Sequence, residues 1–228
     1  MNLTRRSFLQ RSPATIGLIG LPGPSRRSRI DLVGHKFTDQ SLQSIDLSKA
    51  NLTGAVFTRC DLSHGRFVGA NLVKAEFVQC TMIGTDFSEA NLTGAKILSF
   101  YEDQHDHCVT FGAAISFRKA NLTRARAHFA ITAADFDGAT LVETNFEDSM
   151  IDGNQPGDIS FRNANLSRAN LSKTMISNTD FSYANLAQAD LSNSKIWMNQ
   201  FVGANIAGIK LDGSRVIDCD LPNSINLA

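Results

Sequence analysis

The chain is poor in the residues on which most functional classes depend. Its 228 residues hold one tryptophan, two tyrosines, five prolines and four cysteines. The cysteines, Cys60, Cys80, Cys108 and Cys219, make no Cys-x-x-Cys pair and no zinc-ligand spacing, so neither a redox dithiol nor a zinc finger is supported. No run of ~20 apolar residues occurs, which argues against a membrane-spanning helix. No glycine-rich phosphate loop is present either. Net charge is also missing, because 22 basic residues balance 22 acidic ones. The balance is uneven along the chain. Residues 1–30 carry Arg5, Arg6, Arg11, Arg26, Arg27 and Arg29 and no acid, leaving 16 basic against 22 acidic residues in 31–228, a net charge of −6. Phosphate contacts need clustered Lys and Arg, so direct nucleic-acid binding by this part is disfavoured. A mildly acidic body suits a basic groove on another protein instead.

What the sequence does have is a period of five. An apolar residue recurs on one phase from Leu32 to Ile97, through Phe37, Leu42, Leu47, Leu52, Phe57, Leu62, Phe67, Leu72, Phe77, Met82, Phe87 and Leu92. Two residues before each centre sits a small residue, as at Ala50, Ala55, Cys60, Gly65 and Ala70, and the residue between is usually Asn or Asp. The unit is clearest in the segments ANLTG, ANLVK, ANLSR and ADLSN. A helix needs apolar spacing near 3.6 and a strand near 2, so five fits neither as a continuous element. It fits a chain that turns a corner every five residues, with the centre and the small residue pointing inward. A second period of twenty points to four sides per coil. Phe37, Phe57, Phe77, Ile97 and Phe117 are spaced by twenty, as are Leu141, Phe161, Phe181, Phe201 and Leu221. Asn51, Asn71, Asn91 and Asn121 keep a related grid, the last step skipping a coil, and Asn145, Asn165, Asn185 and Asn205 form another column.

These A-[DN]-[LF]-x-x units resemble the pentapeptide-repeat family, over nearly all of 32–221. The resemblance implies an all-β fold, a right-handed quadrilateral β-helix. About ten coils at ~4.8 Å each predict a rod roughly 50 Å tall. The expected organisation is an N-terminal segment, 1–30, followed by the β-helix, 31–228, with loops near 98–116 and 152–158. The first loop is expected to span one coil's length, because Ile97 and Phe117 stay in phase, with Phe100 or Phe111 filling the core off-register. Between Leu122 and Ile131 the phase slips by one residue, which Ala127 or Phe129 must absorb. Around Pro156 the phase resumes unchanged at Phe161, so that segment reads as a local loop. The glycines at 54, 69, 84, 94, 138 and 203 fall at corners, where they ease the turn.

The N-terminus reads Thr4-Arg5-Arg6-Ser7-Phe8-Leu9-Gln10 and is similar to a twin-arginine export motif, with Gln10 in place of Lys. A weakly apolar stretch follows, cut short by Pro22 and Pro24, without a small-x-small cleavage site. Arg5, Arg6, Phe8 and Leu9 are the export-signal residues of this reading, which places the protein in the periplasm or outside the cell. The alternative is a basic tail on a cytoplasmic protein.

Chemistry is sparse. Glu102, Asp103, His105, Asp106, His107 and Cys108 are all metal-ligand types, but no second pair at fixed spacing completes a site, and a solvated loop is the expectation. No metal, cofactor or catalytic residue is assigned. Cys60 and Cys80 should stack in neighbouring coils, as packed thiols or as a disulfide. Trp197 follows the centre Ile196 and should point outward, either as a partner anchor or packed on a neighbouring side chain. The residues on which partner binding is placed are Glu102, Asp103, His105, Asp106 and His107 of one loop, Asn154 and Asp158 of the other, and Trp197.

Function is therefore expected to be that of a non-enzymatic rod that binds a protein partner. The resemblance also implies an alternative, that of the Qnr and MfpA branch, whose members mimic DNA, bind DNA gyrase or topoisomerase IV and protect them from quinolones. A secreted effector is a further alternative. The rod ends are strand edges unless capped, so end-to-end homodimers stay open.

Overall fold

The computed structural model describes residues 30–98 and 114–221. The described residues contain no helix, and every paired strand runs parallel to its neighbour. The chain winds as a four-sided β-solenoid. Within one repeat the centre residue lies in extended backbone and points inward, and the next two residues make a corner. Leu32 shows the pattern: its C=O accepts from His35 N at 3.0 Å, with Gly34 at φ 61° between them. Among the described residues φ is positive at ten glycines, nine of them at corners, and at 22 other residues, among them Lys49, Arg59 and Asn163. An L-residue there costs roughly 1–2 kcal/mol. The cost is met because each corner N–H is fixed by the next coil, as when Ser44 N donates to Ser63 O at 2.9 Å and Lys49 N to Val68 O at 2.9 Å.

Three sides carry the longer strands. The second side holds β1 (Lys36–Thr38), β2 (Val56–Thr58), β3 (Glu76–Val78), β4 (Lys96–Leu98) and β6 (Arg126–His128). The fourth side holds β5 (Ile115–Ser116), β8 (Ala134–Asp135), β10 (Ile159–Ser160) and β12 (Thr179–Asp180). The third side holds β7 (Ala130–Ile131), β9 (Met150–Asp152), β11 (Met175–Ser177), β13 (Lys195–Trp197) and β14 (Arg215–Ile217). The first side is a ladder of single bridges, Asp31–Asn51–Asn71–Asn91–Asn121–Thr140–Asn165–Asn185–Asn205.

That ladder counts the coils. It makes eight inter-coil steps, about 38 Å of rise at ~4.8 Å per step, so the expectation of ten coils and 50 Å is too large. The missing coils are insertions. From Asn91 to Asn121 one turn consumes thirty residues, and from Thr140 to Asn165 another consumes 25. Both insertions are multiples of five, so they leave the five-residue phase intact while moving every later residue to a different side. Three expectations fail for this reason. Phe117 does not continue the Phe37–Phe57–Phe77–Ile97 column; it stacks on Phe87, centroids 5.2 Å apart. Leu141 is not in the column of Phe161, whose partner is Phe136 at 4.5 Å. Asn145 bridges Asn170 on the second side, whereas Asn165, Asn185 and Asn205 continue the Asn51 ladder, and Asn121 pairs with Asn91 directly. Ile97 on the second side and Phe117 on the fourth are thus joined by ten residues more than that half coil needs. Phe100 and Phe111 lie outside the described residues.

The one-residue slip is a shortened turn of nineteen residues from Asn121 to Thr140. Ala127, Phe129 and Ile131 are all buried there. Phe129 takes the inward place usually held by a small residue, and the small Ala127 takes the centre, so volume is conserved within the layer.

The core is two phenylalanine columns between rows of Leu and Ala. On the fourth side seven rings stack without interruption, Phe67, Phe87, Phe117, Phe136, Phe161, Phe181 and Phe201, at 4.5–5.2 Å. On the second side Phe37, Phe57 and Phe77 stack at 4.6 and 4.9 Å. The columns meet edge to face, Phe57 against Phe67 at 6.1 Å, which is the arrangement ring quadrupoles favour.

Polar inward residues serve two kinds of corner, and at a tight one they add a second bond to the centre C=O, as Thr85 Oγ1 does to Leu62 O at 3.0 Å. At the tight corner the centre C=O is satisfied by the turn. At the wide corner, after a three-residue strand, that bond is missing and a side chain one coil further on supplies the donor. Cys80 Sγ reaches Phe57 O at 3.4 Å, Ser149 Oγ reaches Ala127 O at 3.0 Å, Asn199 Nδ2 reaches Ile176 O at 2.9 Å and Cys219 Sγ reaches Ile196 O at 3.8 Å. Buried carbonyls need such partners. Cys60, Cys80 and Cys219 are therefore structural donors, and none of them is in a disulfide. Cys60 and Cys80 do stack on neighbouring coils, Thr81 N donating to Cys60 O at 3.0 Å. The hydrogen bond that Cys80 shares with Cys60, and then burial, push the Cys80 thiol up in pKa.

Candidate interaction surface

Because the interior is filled by its own side chains, the outer faces are what the molecule offers. On three of them the register neutralises charge. Position by position, a basic residue on one coil sits beside an acidic one on the next: Arg59 with Asp39 at 2.6 Å, Lys96 with Glu76 at 2.9 Å, Arg124 with Glu143 at 2.7 Å, Lys173 with Glu147 at 2.8 Å. Arg118 bridges Asp135 and Asp137, both at 2.9 Å. Exposed pairs of this kind contribute little stability, ~0–1 kcal/mol each, but they leave the surface without a strong field. The guanidinium of Arg59 holds the Asp39 carboxyl below its ordinary pKa, and that of Arg124 does the same to Glu143.

The outer strand row of the fourth side alternates strictly. It runs Asp46, Arg66, Asp86, Ser116, Asp135, Ser160, Asp180, Gln200, Asp220. Aspartates on every second coil stand ~9.6 Å apart instead of ~4.8 Å, which relieves the repulsion that like charges directly opposite would feel. Four of the carboxylates also close their own corners: Ser48 N donates to Asp46 at 3.0 Å, Ser88 N to Asp86 at 2.9 Å, Asp137 N to Asp135 at 2.9 Å and Ser182 N to Asp180 at 2.8 Å. The first side carries the same local bond through asparagine, and its amides also link coil to coil, Asn205 Nδ2 to Asn185 Oδ1 at 3.0 Å.

The third side departs from this pattern in its last coils. Trp197 is half-buried, in register between Ser177 and Ile217. Beside it Met198 is 52% exposed at a corner and Ile217 is 48% exposed. Around the next corners Val202 and Tyr183 are also exposed, Tyr183 lying over Gly203 and under the Arg162 guanidinium at 5.7 Å. Gly203 is the one place where a side chain would strike that ring, at 2.8 Å. Lys195 and Arg215 are adjacent in register, both exposed, and among the described residues neither makes an ion pair.

The inserted loop stands two coils above Trp197, on the far side of the strand Met175–Ser177. Asn178 Nδ2 donates to Gly153 O at 2.7 Å, Gly153 N to Ser177 O at 3.2 Å and Gly157 N to Asn178 O at 3.0 Å. The loop closes on itself through Gln155 N to Asp158 Oδ2 at 2.8 Å. Asp152 accepts from the Ser177 hydroxyl. Asn154 is exposed and Asp158 half-buried.

The structure thus brings three of the expected binding residues, Asn154, Asp158 and Trp197, toward one side of the rod, the loop lying two coils from Trp197. Glu102, Asp103, His105, Asp106 and His107, and the export-signal residues Arg5, Arg6, Phe8 and Leu9, lie outside the described residues. Among the described residues no cluster of His, Cys, Asp and Glu could hold a metal ion. Sequence reasoning missed Met198, Ile217, Lys195 and Arg215. Their signal was present: an apolar residue one or two places after a centre is outside the inward pattern and so is not required by the core.

Two family models match the chain. One is described as a pentapeptide repeat region and covers residues 31–103; the other, pentapeptide repeats in eight copies, covers 158–196. No curated protein sequence matches. Among solved structures the chain is similar to HetL, a pentapeptide repeat protein involved in heterocyst differentiation regulation from the cyanobacterium Nostoc sp. strain PCC 7120, at 19% identity over 86% of this chain and 91% of that one, TM-score 0.42. It is similar to a trypsin-treated form of QnrB1, a plasmid-mediated fluoroquinolone resistance protein, at 17% identity over 83% and 87%, TM-score 0.40. It is also similar to Rfr23 from the cyanobacterium Cyanothece 51142, at 14% identity over 81% and 91%, TM-score 0.24.

Proposed function

We infer that this chain, which belongs to the pentapeptide-repeat family, is a non-enzymatic scaffold that binds a protein partner on the outside of its rod. The observation that carries the reading is the closed interior. Eleven phenylalanines, from Phe37 to Phe181, are each less than 2% exposed, so the coil has no lumen to receive a substrate and its chemistry is confined to outward side chains. On such a rigid repeat body, surface and loops decide what is bound.

A DNA-mimicking role fits the charge less well. B-DNA carries one negative charge per ~1.7 Å of axis. Residues 31–228 carry a net −6 along about 38 Å, several-fold below that density, and the aspartates alternate with Arg, Ser and Gln. We further propose, from Arg5-Arg6-Ser7-Phe8-Leu9, that the protein is exported in the folded state.

The scaffold reading is tested by capturing partners from the source cells with the tagged full chain and competing with untagged chain. A protein retained in stoichiometric amount and displaced by competitor supports it. Complete lack of a saturable partner, with turnover of a small molecule by the purified chain, would sink it.

A further inference from the structure

We propose that the third side of the last coils is a docking ledge for an acidic, apolar-rich segment of a partner protein. The proposal rests on the scaffold reading above and gives it a partner chemistry. Three observations converge on this side. First, Trp197, Met198 and Ile217 form one apolar patch: Trp197 and Ile217 are register partners, and Met198 N donates to Ile217 O at 3.1 Å. Equivalent outward places on earlier coils hold Gln43, Ser63, Asp152 and Ser177, with a single isolated apolar residue, Ile83, among those described. The coil geometry therefore asks for no large apolar group there, and the patch is surplus to folding. An aromatic anchor beside a flexible methionine is what recognition surfaces use.

Second, the same strands carry Lys195 directly against Arg215. Stacked like charges destabilise a sheet; in another such stack, Lys96 against Arg126, Lys96 is relieved by Glu76 on the adjoining coil at 2.9 Å. Among the described residues neither Lys195 nor Arg215 has an acidic partner, and a carboxylate brought by a partner would supply the relief, bidentate on the guanidinium. Two cations are too few to hold a nucleic-acid backbone, where affinity grows with the number of phosphates neutralised.

Third, the loop around Pro156 is pinned by its bonds to Ser177 and Asn178, which lie one coil above Trp197. It makes a fixed wall two coils from Trp197, beyond the polar row of Ser177 and Asn178, so that the ledge has a shape as well as a chemistry.

Trp197 is the only tryptophan in the chain, so its emission reports on this surface. The full chain would be titrated with two peptides of equal length and identical apolar residues, one carrying Glu and Asp between them and the other carrying Lys. The acidic peptide should bind saturably, shift Trp197 emission to the blue and weaken with added salt, and the basic peptide should not. The double variant K195E/R215E should bind the acidic peptide at least about tenfold more weakly and begin to bind the basic one. K195A/R215A should lose the preference without reversing it. Unchanged circular dichroism and melting would establish that both variants fold. No charge preference in the wild-type chain, or equal binding by K195E/R215E, overturns the ledge. A Trp197 shift with phosphatidylglycerol vesicles but not with the acidic peptide overturns it in favour of a lipid surface. If the partner captured by the wild-type chain is captured equally by K195E/R215E, the ledge fails while the scaffold reading stands; if the wild-type chain captures none, the scaffold reading itself fails.

Discussion

Replacing Phe87 and Phe117 by leucine, singly and together, tests the register on which the coil count depends. The two rings are coplanar within 7°, 5.2 Å apart and buried, although thirty residues separate them in sequence. Each single change keeps an apolar side chain of similar volume in the column and should cost ~1 kcal/mol. The stacking itself is a pairwise term of ~0.5–1.5 kcal/mol. The double variant should therefore be less destabilised than the sum of the singles by about that amount, because the stack can be lost only once. The assay is urea unfolding followed by circular dichroism, with the coupling taken from the four-member cycle. If the twenty-residue grid were continuous, Phe117 would lie on another side, two coils from Phe87. The two changes would then add within ~0.3–0.5 kcal/mol. Additivity would refute the thirty-residue turn and, with it, the assignment of 98–116 as an insertion.

Three further outcomes are expected. Asn199→Ala leaves both Ile176 O and Thr179 N without the partners they have at 2.9 Å in a site 2% exposed; at ~1–3 kcal/mol for each buried group, the melting temperature should drop by several degrees, and a drop within error would discount the wide-corner account. Burial pushes the Asp180 carboxyl up, but the Ser182 hydroxyl and N–H and the Arg162 guanidinium outweigh it and hold it below 3.8. Its stabilisation is therefore complete above the unfolded value and lost as pH falls through the lower folded one. Melting should hold steady down to about pH 4 and decline below it, and Asp180→Asn should flatten the decline. Finally, Arg5→Lys with Arg6→Lys should leave the protein in the cytoplasm of cells that export the wild-type chain; identical fractionation of the two would remove the export proposal.

The five-residue period was legible because it is enforced locally, by one inward centre and one small residue per side. The twenty-residue column was not, because an insertion of five or ten residues changes the side without changing the phase. Phe117 and Leu141 show this: both keep their phase and both sit in a different column from the one their spacing suggests. The slip at Ala127–Ile131 was visible in the sequence because one residue does break the phase. Trp197 could be placed as outward from Ile196, but its surroundings could not. Which outward residues become neighbours depends on the coil count between them, and that count is what the insertions hide.

The same distinction bears on where function sits. A repeat position that obeys the pattern answers to its neighbours one coil above and below: Asp alternates with Ser, Arg or Gln, Lys meets Glu, and wide corners are followed by a donor. Such residues are explained by the rod alone. Lys195 against Arg215, Met198 at an exposed corner, and a five-residue insertion pinned to Ser177 and Asn178 are not, and they fall on one side within four coils. In a body whose regularity is this complete, departures that cost stability and cluster in space are better explained by an outside partner than by the fold, and the charge they leave unmet says that the partner is acidic.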